Sequence, residues 1–204
     1  MKVSYKVFGD LDNNCYLLLD ETTNKSALID CTVVDDRMRE LIGDTDLQYI
    51  LLTHGHFDHI GGVRDIKKEY GCKVVISSVD APMLSSGKAS LAAFCGAEQN
   101  DTEPDITVQD GDEIELGTLK IKVLSTPGHT SGSVCYVVGD ALFSGDTLFY
   151  CSCGRTDFPT GSSDDMIKSL KKLASLDGNY KVYTGHNQLS NLDFERKNNP
   201  YMNL

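Results

Sequence analysis

Residues 47–62 read LQYILLTHGHFDHIGG, an apolar run that leads directly into four side chains able to bind a metal: His54, His56, Asp58 and His59. The run is too apolar on both faces for an edge strand, so it belongs inside a covered sheet. In the extended turn that follows, side chains two residues apart point the same way. His54 and His56 are therefore placed to grip one ion, while Asp58 and His59 face a second beside it.

The rest of the chain divides into two batches of strand and helix signals. Val3 to Phe8, Cys15 to Leu19 and Ala27 to Ile29 are β-branched and aromatic runs separated by the DLDNN and ETTNK turns, the pattern of an antiparallel meander. Helices are expected over Asp35 to Ile42 and over Val63 to Tyr70, the latter closed by Gly71, with a strand over Lys73 to Ile76. Residues 79–105, with Pro82 and Pro104, are aperiodic and read as a loop with at most one helical turn, a lid or a connector. Strands resume at Ile106 to Val108, Glu113 to Leu116, Leu119 to Leu124, Ser133 to Val138 and Ala141 to Phe143. Met166, Ile167, Leu170, Leu173 and Ala174 then recur at helical spacing behind a Ser162–Asp165 capping pair, with Gly178 past the end. Lys181 to Thr184 reads as a last strand, and the polar residues after His186 as a surface helix or tail. Two batches of strands, each followed by helix, imply two packed sheets in one domain over residues 1–204.

Lys and Arg number 19 against 30 Asp and Glu, a formal net charge of −11. A field of that sign repels phosphate backbones and anionic lipid, so the expected partner is a small molecule, with neither nucleic acid nor a membrane. The N-terminal MKVSYKVFGD has no apolar leader region, and no apolar run is long enough to span a bilayer. Seven Cys, an odd count, then read as free thiols in a cytoplasmic protein, with Cys15, Cys31 and Cys135 acting as small hydrophobes in strands. A chain of 204 residues hides roughly 70% of its unfolded surface without needing a metal to fold, so a metal here serves chemistry.

All five histidines fall in such places: beyond the first cluster, His129 lies in TPGHTSG and His186 in TGH, each in a Gly-flanked loop after an expected strand. Asp146, in FSGDTLF, repeats the arrangement with a carboxylate. THGHFDHIGG, PGHTSGSVCY, SGDTLF, CGRTDFP and TGH together resemble the metallo-β-lactamase superfamily, and most closely its glyoxalase II-like (hydroxyacylglutathione hydrolase-like) branch. The resemblance covers nearly the whole chain. It implies an α/β αββα four-layer sandwich, two mixed sheets flanked by helices, with the site at one edge. It implies a first metal on His54, His56 and His129, a second on Asp58, His59 and His186, and Asp146 bridging, so that Asp58 and Asp146 are the catalytic carboxylates.

Imidazole and carboxylate ligands favour zinc, with iron or manganese possible, and six or seven of them are too many for one tetrahedral ion but suit two. Such a pair holds a hydroxide nucleophile near neutral pH. A thiolate, with a thiol pKa near ~8.5, leaves unaided where an amide nitrogen needs an acid, which favours a thioester or other labile ester as substrate. Two alternatives stand beside this reading. One is a mononuclear iron sulfur dioxygenase, similar to the persulfide dioxygenases, using His54, His129 and Asp146 as a facial triad; the other is a non-catalytic metal-binding module. Arg155 either orients an anionic substrate group or makes a structural ion pair. Cys151 and Cys153 read as packing residues rather than soft ligands, and relatives carry Gly where Cys151 stands. Full-length hydroxyacylglutathione hydrolases add a C-terminal helical domain, whereas this sequence stops soon after His186. They also tend to carry Lys at Arg155 and aromatic residues at Asp157 and Gln188. Glutathione thioesters are therefore expected to be poor substrates, with Asp157 opposing the glycyl carboxylate.

Overall fold

In the computed structural model, which describes residues 1–202, apolar side chains sort into three layers separated by two sheets. The meander forms as expected from β1 (Lys2–Phe8), β2 (Asn13–Asp20) and β3 (Lys25–Ile29). After α1 (Asp36–Ile42) comes β4 (Asp46–Leu51), then the single turn α2 (Phe57–Ile60), α3 (Val63–Tyr70), β5 (Lys73–Ser77), α4 (Ala92–Cys95) and β6 (Ile106–Val108). β4, β5 and β6 add in parallel to give the order β1-β2-β3-β4-β5-β6. The second sheet draws on β7 (Glu113–Leu116), β8 (Leu119–Ser125), β9 (Val134–Val138) and β10 (Ala141–Gly145). A small hairpin of β11 (Leu148–Phe149) and β12 (Ser152–Cys153) precedes α5 (Ser163–Ala174), β13 (Lys181–Thr184), β14 (Ser190–Asn191) and α6 (Leu192–Asn198). Its order is β14-β13-β10-β9-β8-β7, with β13 parallel to β10.

Alternation along each strand builds the layers. Leu17, Ile50 and Val74 face out onto Met38, Ile42, Val63 and Ile66 of α1 and α3, while their neighbours Leu18, Leu51 and Val75 face the second sheet. From that sheet Val123, Tyr136 and Phe143 meet them, and Leu124, Cys135 and Leu142 turn outward onto α5. This is the expected four-layer α/β sandwich with helices on both outer faces. α5 starts at Ser162, whose hydroxyl accepts from the Asp165 N–H, and buries Met166, Leu170 and Leu173, each contributing roughly 2 kcal/mol of apolar burial.

The differences lie where pattern is weak. Residues 79–105 hold two short helical pieces, Ala81–Ser85 and α4, rather than at most one turn. α5 is capped at Ser175, ahead of Gly178. The segment after His186 is no loose tail. Leu192 is buried in the outer core, and the buried Glu195 accepts from the Cys151 N–H at 2.9 Å, the Asn199 amide at 2.8 Å and the Ser190 hydroxyl. Cys151 has φ 52, which explains why a glycine suits that position. Cys153 packs on the outer core, and all seven cysteines are free. No helix among the described residues is long and apolar enough to cross a membrane.

Asp20 ties the two sheets together at the end remote from the histidines. It accepts from Thr118 N at 2.6 Å, Thr118 Oγ1 at 3.0 Å, Thr23 Oγ1 at 2.8 Å and Thr22 N at 3.0 Å. Gly117, with φ 60, is required beside it, because a Cβ there would collide with the Asp20 carboxylate and Thr23 Oγ1. The Thr118 backbone donor, with the other three, holds the Asp20 carboxyl well below the usual carboxylate range. Its contribution is therefore present above the unfolded value near ~3.9 and declines as pH falls below it. Asp20→Asn should lower the urea midpoint at pH 7, and the gap to the parent chain should narrow between pH 4 and pH 3; a gap independent of pH would show that the charge is not what matters.

Candidate metal centre

Every expected ligand lies at a strand end on one edge of the sandwich. His54 and His56 follow β4, Asp58 and His59 sit in the helical turn α2 rather than in the expected extended turn, His129 sits in the β8–β9 turn, Asp146 follows β10 and His186 follows β13. Three groups of ligand atoms each lie within 4.8 Å of one another: His54, His56 and His129; His54, His59 and Asp146; Asp58, His59 and His186. The first and third are the two triads implied by the resemblance, and Asp146 stands between them, its carboxylate 3.5 Å from His59, His129 and His186. Asp146 follows a register shift between Phe143 and Gly145, where β10 bulges against β13 before pairing resumes at Gly145 and Thr184. Gly185 completes that fit, since a Cβ on it would strike Asp146 Oδ1.

Second partners fix which nitrogen of each ring faces inward. His129 Nδ1 donates to the Arg155 carbonyl at 2.8 Å and His186 Nδ1 to the Leu11 carbonyl at 2.8 Å. His59 Nδ1 donates to Asp30 Oδ2 at 2.8 Å. Thr53 Oγ1 also donates to Asp30 Oδ2 at 2.8 Å, leaving it to accept from His54 Nδ1 at 3.1 Å. Each of these four rings thus turns Nε2 toward the centre with its proton committed elsewhere, the arrangement a metal ligand needs. On the carboxylate side, the Asn13 amide donates to Asp58 Oδ2 at 2.9 Å.

The donor set fits divalent cations. His54 Nε2, His56 Nε2 and Asp146 Oδ1 are buried without a hydrogen-bond partner, and His56 Nδ1 faces His129 Nε2 at 2.9 Å. Buried polar atoms are costly to leave unsatisfied, and among these residues a shared cation is what would satisfy them together. Burial drives the His54 imidazole well below its ordinary value, and burial with the His129 ring takes His56 down to about 3. Burial also opposes charge on His59 and His186, but the Asp58 and Asp146 carboxylates outweigh it and hold them up to about 9 and about 11. Protons therefore balance the carboxylates when no metal does.

Sequence reading missed three supports. Asp30 ends β3 as Asp146 ends β10, so the same strand-end carboxylate signal was present in LIDCT. Buried Asp80 accepts from Gly55 N at 3.1 Å and Thr130 Oγ1 at 2.7 Å, joining the loops of His56 and His129, and burial raises its carboxyl. Asn13 carries no signal short of the fold. Arg155 resolves toward the ion pair: Asp157 binds it through both oxygens at 2.6 and 2.7 Å, and its guanidinium lies 4.0 Å over the Phe158 ring. Asp157 and Gln188, expected beside the substrate, are not in the pocket wall. That pocket, about 550 Å³, is walled instead by Leu11, Leu91, Phe149 and Phe158 around the ligands.

Residues 8–186 match the model of the metallo-β-lactamase superfamily, and the chain belongs to that family. It is 36% identical over 190 residues to a hydroxyacylglutathione hydrolase of Bradyrhizobium sp., covering 91% of this chain and 67% of that one. The solved structure of TTHA1623 in a di-iron-bound form superposes with a TM-score of 0.86 at 31% identity, over 97% of this chain and 99% of the other. That of ETHE1 from Myxococcus xanthus does so with 0.82 at 30% identity, over 98% and 84%.

Asp30→Asn replaces one of the two acceptor oxygens by a donor amide, so that either Thr53 N or the His59 Nδ1 and Thr53 Oγ1 pair loses its acceptor. The variant should fold yet bind zinc roughly 10- to 100-fold more weakly in competition with a chromophoric chelator; unchanged affinity would remove Asp30 from the metal centre.

Proposed function

We propose that the chain is a two-metal hydrolase of thioesters or comparably labile esters. The observation that carries this reading is the composition of the pocket. Apart from the candidate ligands, its described wall contains no carboxylic acid, histidine or tyrosine, only Cys95 and Arg155 among titratable groups. A leaving group must then depart without a proton from the protein, which suits a thiolate and disfavours an amine.

Under this reading His54, His56 and His129 hold one ion, Asp58, His59 and His186 the other, and Asp146 lies between. Two divalent ions there, zinc, iron or manganese, would supply a hydroxide near neutral pH and polarise the substrate carbonyl. The chain's own contribution is orientation and shielding. The Arg155 carbonyl and Asp30 keep ring nitrogens aimed inward, and Phe158 sets its edge against His56 and His129 at 5.8 and 6.4 Å between ring centroids. Phe149, Leu11 and Leu91 give the substrate an apolar wall. The di-iron form of TTHA1623 and the hydroxyacylglutathione hydrolase relative support the metal count and the reaction class.

The partner of this reading is a soluble acyl thioester or ester, and the pairing of Arg155 with Asp157 bears on its thiol. A guanidinium held by a carboxylate offers a weak anion site, so anionic carriers such as glutathione gain little from it.

Zinc- or manganese-loaded protein should hydrolyse small neutral acyl thioesters without oxygen, and Asp146→Ala should lose more than one equivalent of bound metal along with that activity. Absence of turnover, with stoichiometric oxygen uptake on a persulfide by iron-loaded protein, would replace this reading with the dioxygenase. Asp157→Asn should raise kcat/KM several-fold for S-lactoylglutathione but not for a neutral thioester of the same acyl group; equal effects on both would place Arg155 outside substrate recognition.

A further inference from the structure

We propose that a second cleft beside the metal centre receives a primary ammonium group carried on the acyl part of the substrate, an inference that rests on the hydrolase reading. The cleft, about 390 Å³, shares Leu11, Phe57 and Asp58 with the main pocket, so the two adjoin as arms on either side of these residues, Asp58 being a candidate metal ligand. Their chemistry differs. The main arm is apolar and carries Arg155, whereas the second is lined by Asp10, Asp65 and Glu98 as well as Asp58, and no lysine or arginine lines it among the described residues. Asp65, exposed like Asp10 and Glu98, meets Arg64 at 3.4 Å, while Asp10 and Glu98 have no ion-pair partner among the described residues.

A buried acceptor sits in the wall of the same cleft. Asn13 is 1% exposed and lines the cleft, and its Oδ1 is buried with no hydrogen-bond partner. Its orientation is fixed, because Nδ2 must face the Asp58 carboxylate that it donates to at 2.9 Å. Oδ1 is thereby turned toward Gly9, another wall residue, where an added Cβ would stand 3.7 Å away. An unsatisfied acceptor in the wall of a carboxylate-lined cleft calls for a cationic N–H donor.

A metal ion does not meet the description. The acidic residues special to this arm join none of the convergent ligand groups, and Val33 and Val34 add apolar wall to it. Carboxylates spaced around hydrocarbon suit an ammonium on an alkyl stem, which buries its methylenes and donates at its tip. The acyl group, rather than the thiol, reaches this arm, because the thiol side is assigned to the opposite arm with Arg155 and Phe158.

The test uses the zinc-loaded full chain. It is titrated with n-pentylamine and, as neutral isostere, n-pentanol, while ¹⁵N spectra follow the Asn13 side-chain amide and the Gly61 and Gly62 backbone amides. In parallel, kcat/KM is measured for 6-aminohexanoyl, heptanoyl and adipoyl thioesters of one neutral thiol. The amine should shift those signals saturably and pentanol should not. The ammonium ester should be preferred over heptanoyl about tenfold, the adipoyl ester should be worst, and Asp65→Asn/Glu98→Gln should erase most of the preference. Equal responses to amine and alcohol, or no charge preference among esters that are turned over, overturn the proposal. So does a saturable shift at Asn13 from zinc added beyond the metal centre with none from the amine. If no thioester is cleaved and the amine still binds at Asn13, the hydrolase reading fails and the ammonium site stands.

Discussion

One buried carboxylate governs the geometry of this molecule. Asp30 sits at the end of β3 with φ 57, a conformation unusual outside glycine but tolerated by aspartate, and accepts from Thr53 N, Thr53 Oγ1 and His59 Nδ1. A buried charge is tolerable only when its lone pairs are occupied, and these three donors come from the histidine-rich loop itself. Satisfying Asp30 therefore also fixes the loop. Because the Thr53 carbonyl in turn accepts from Val134 N at 2.8 Å, the same contact sets where the second sheet meets the first.

The sheets close on this edge through polar contacts rather than apolar ones. The Tyr136 hydroxyl donates to the Leu52 carbonyl at 2.8 Å, the Tyr16 hydroxyl to the Thr184 carbonyl at 2.5 Å, and Asn14 N to the Gly185 carbonyl at 2.8 Å. Each replaces water at a strand end whose backbone would otherwise be left open. The opposite edge is closed by Asp20 and Thr118. Apolar layers supply the bulk of the stabilisation, and these polar ends decide the register in which the layers dock.

What the sequence made legible follows from period and residue type. Strands such as β2, β4 and β9 announce themselves because their alternating faces feed two different cores, and α5 because Met166, Leu170 and Leu173 repeat on one side. The seven candidate ligands were legible because histidine is scarce here and each lies just beyond a strand. The β11–β12 hairpin was not, since two-residue strands have no period. Glu195 looked like a surface residue because nothing local reveals that it satisfies the left-handed turn at Cys151. Asp157 was read as facing the substrate, but its nearer neighbour Arg155 captures it, an outcome set by loop geometry. Asn13 and Asp80 act across distances in sequence that only the tertiary fold closes.

The spread of the ligands along the chain also shapes how the protein comes to be folded. His54 through His59 are local, but His129, Asp146 and His186 arrive from the other sheet, so an unfolded chain offers a cation only a partial grip. Full coordination would exist only once both sheets have docked, and ions bound there would act as a clasp across the joint rather than as a nucleus for either half. Folding would therefore precede loading, and ions bound there would add stability to the joint in step with their free concentration rather than be required to form it.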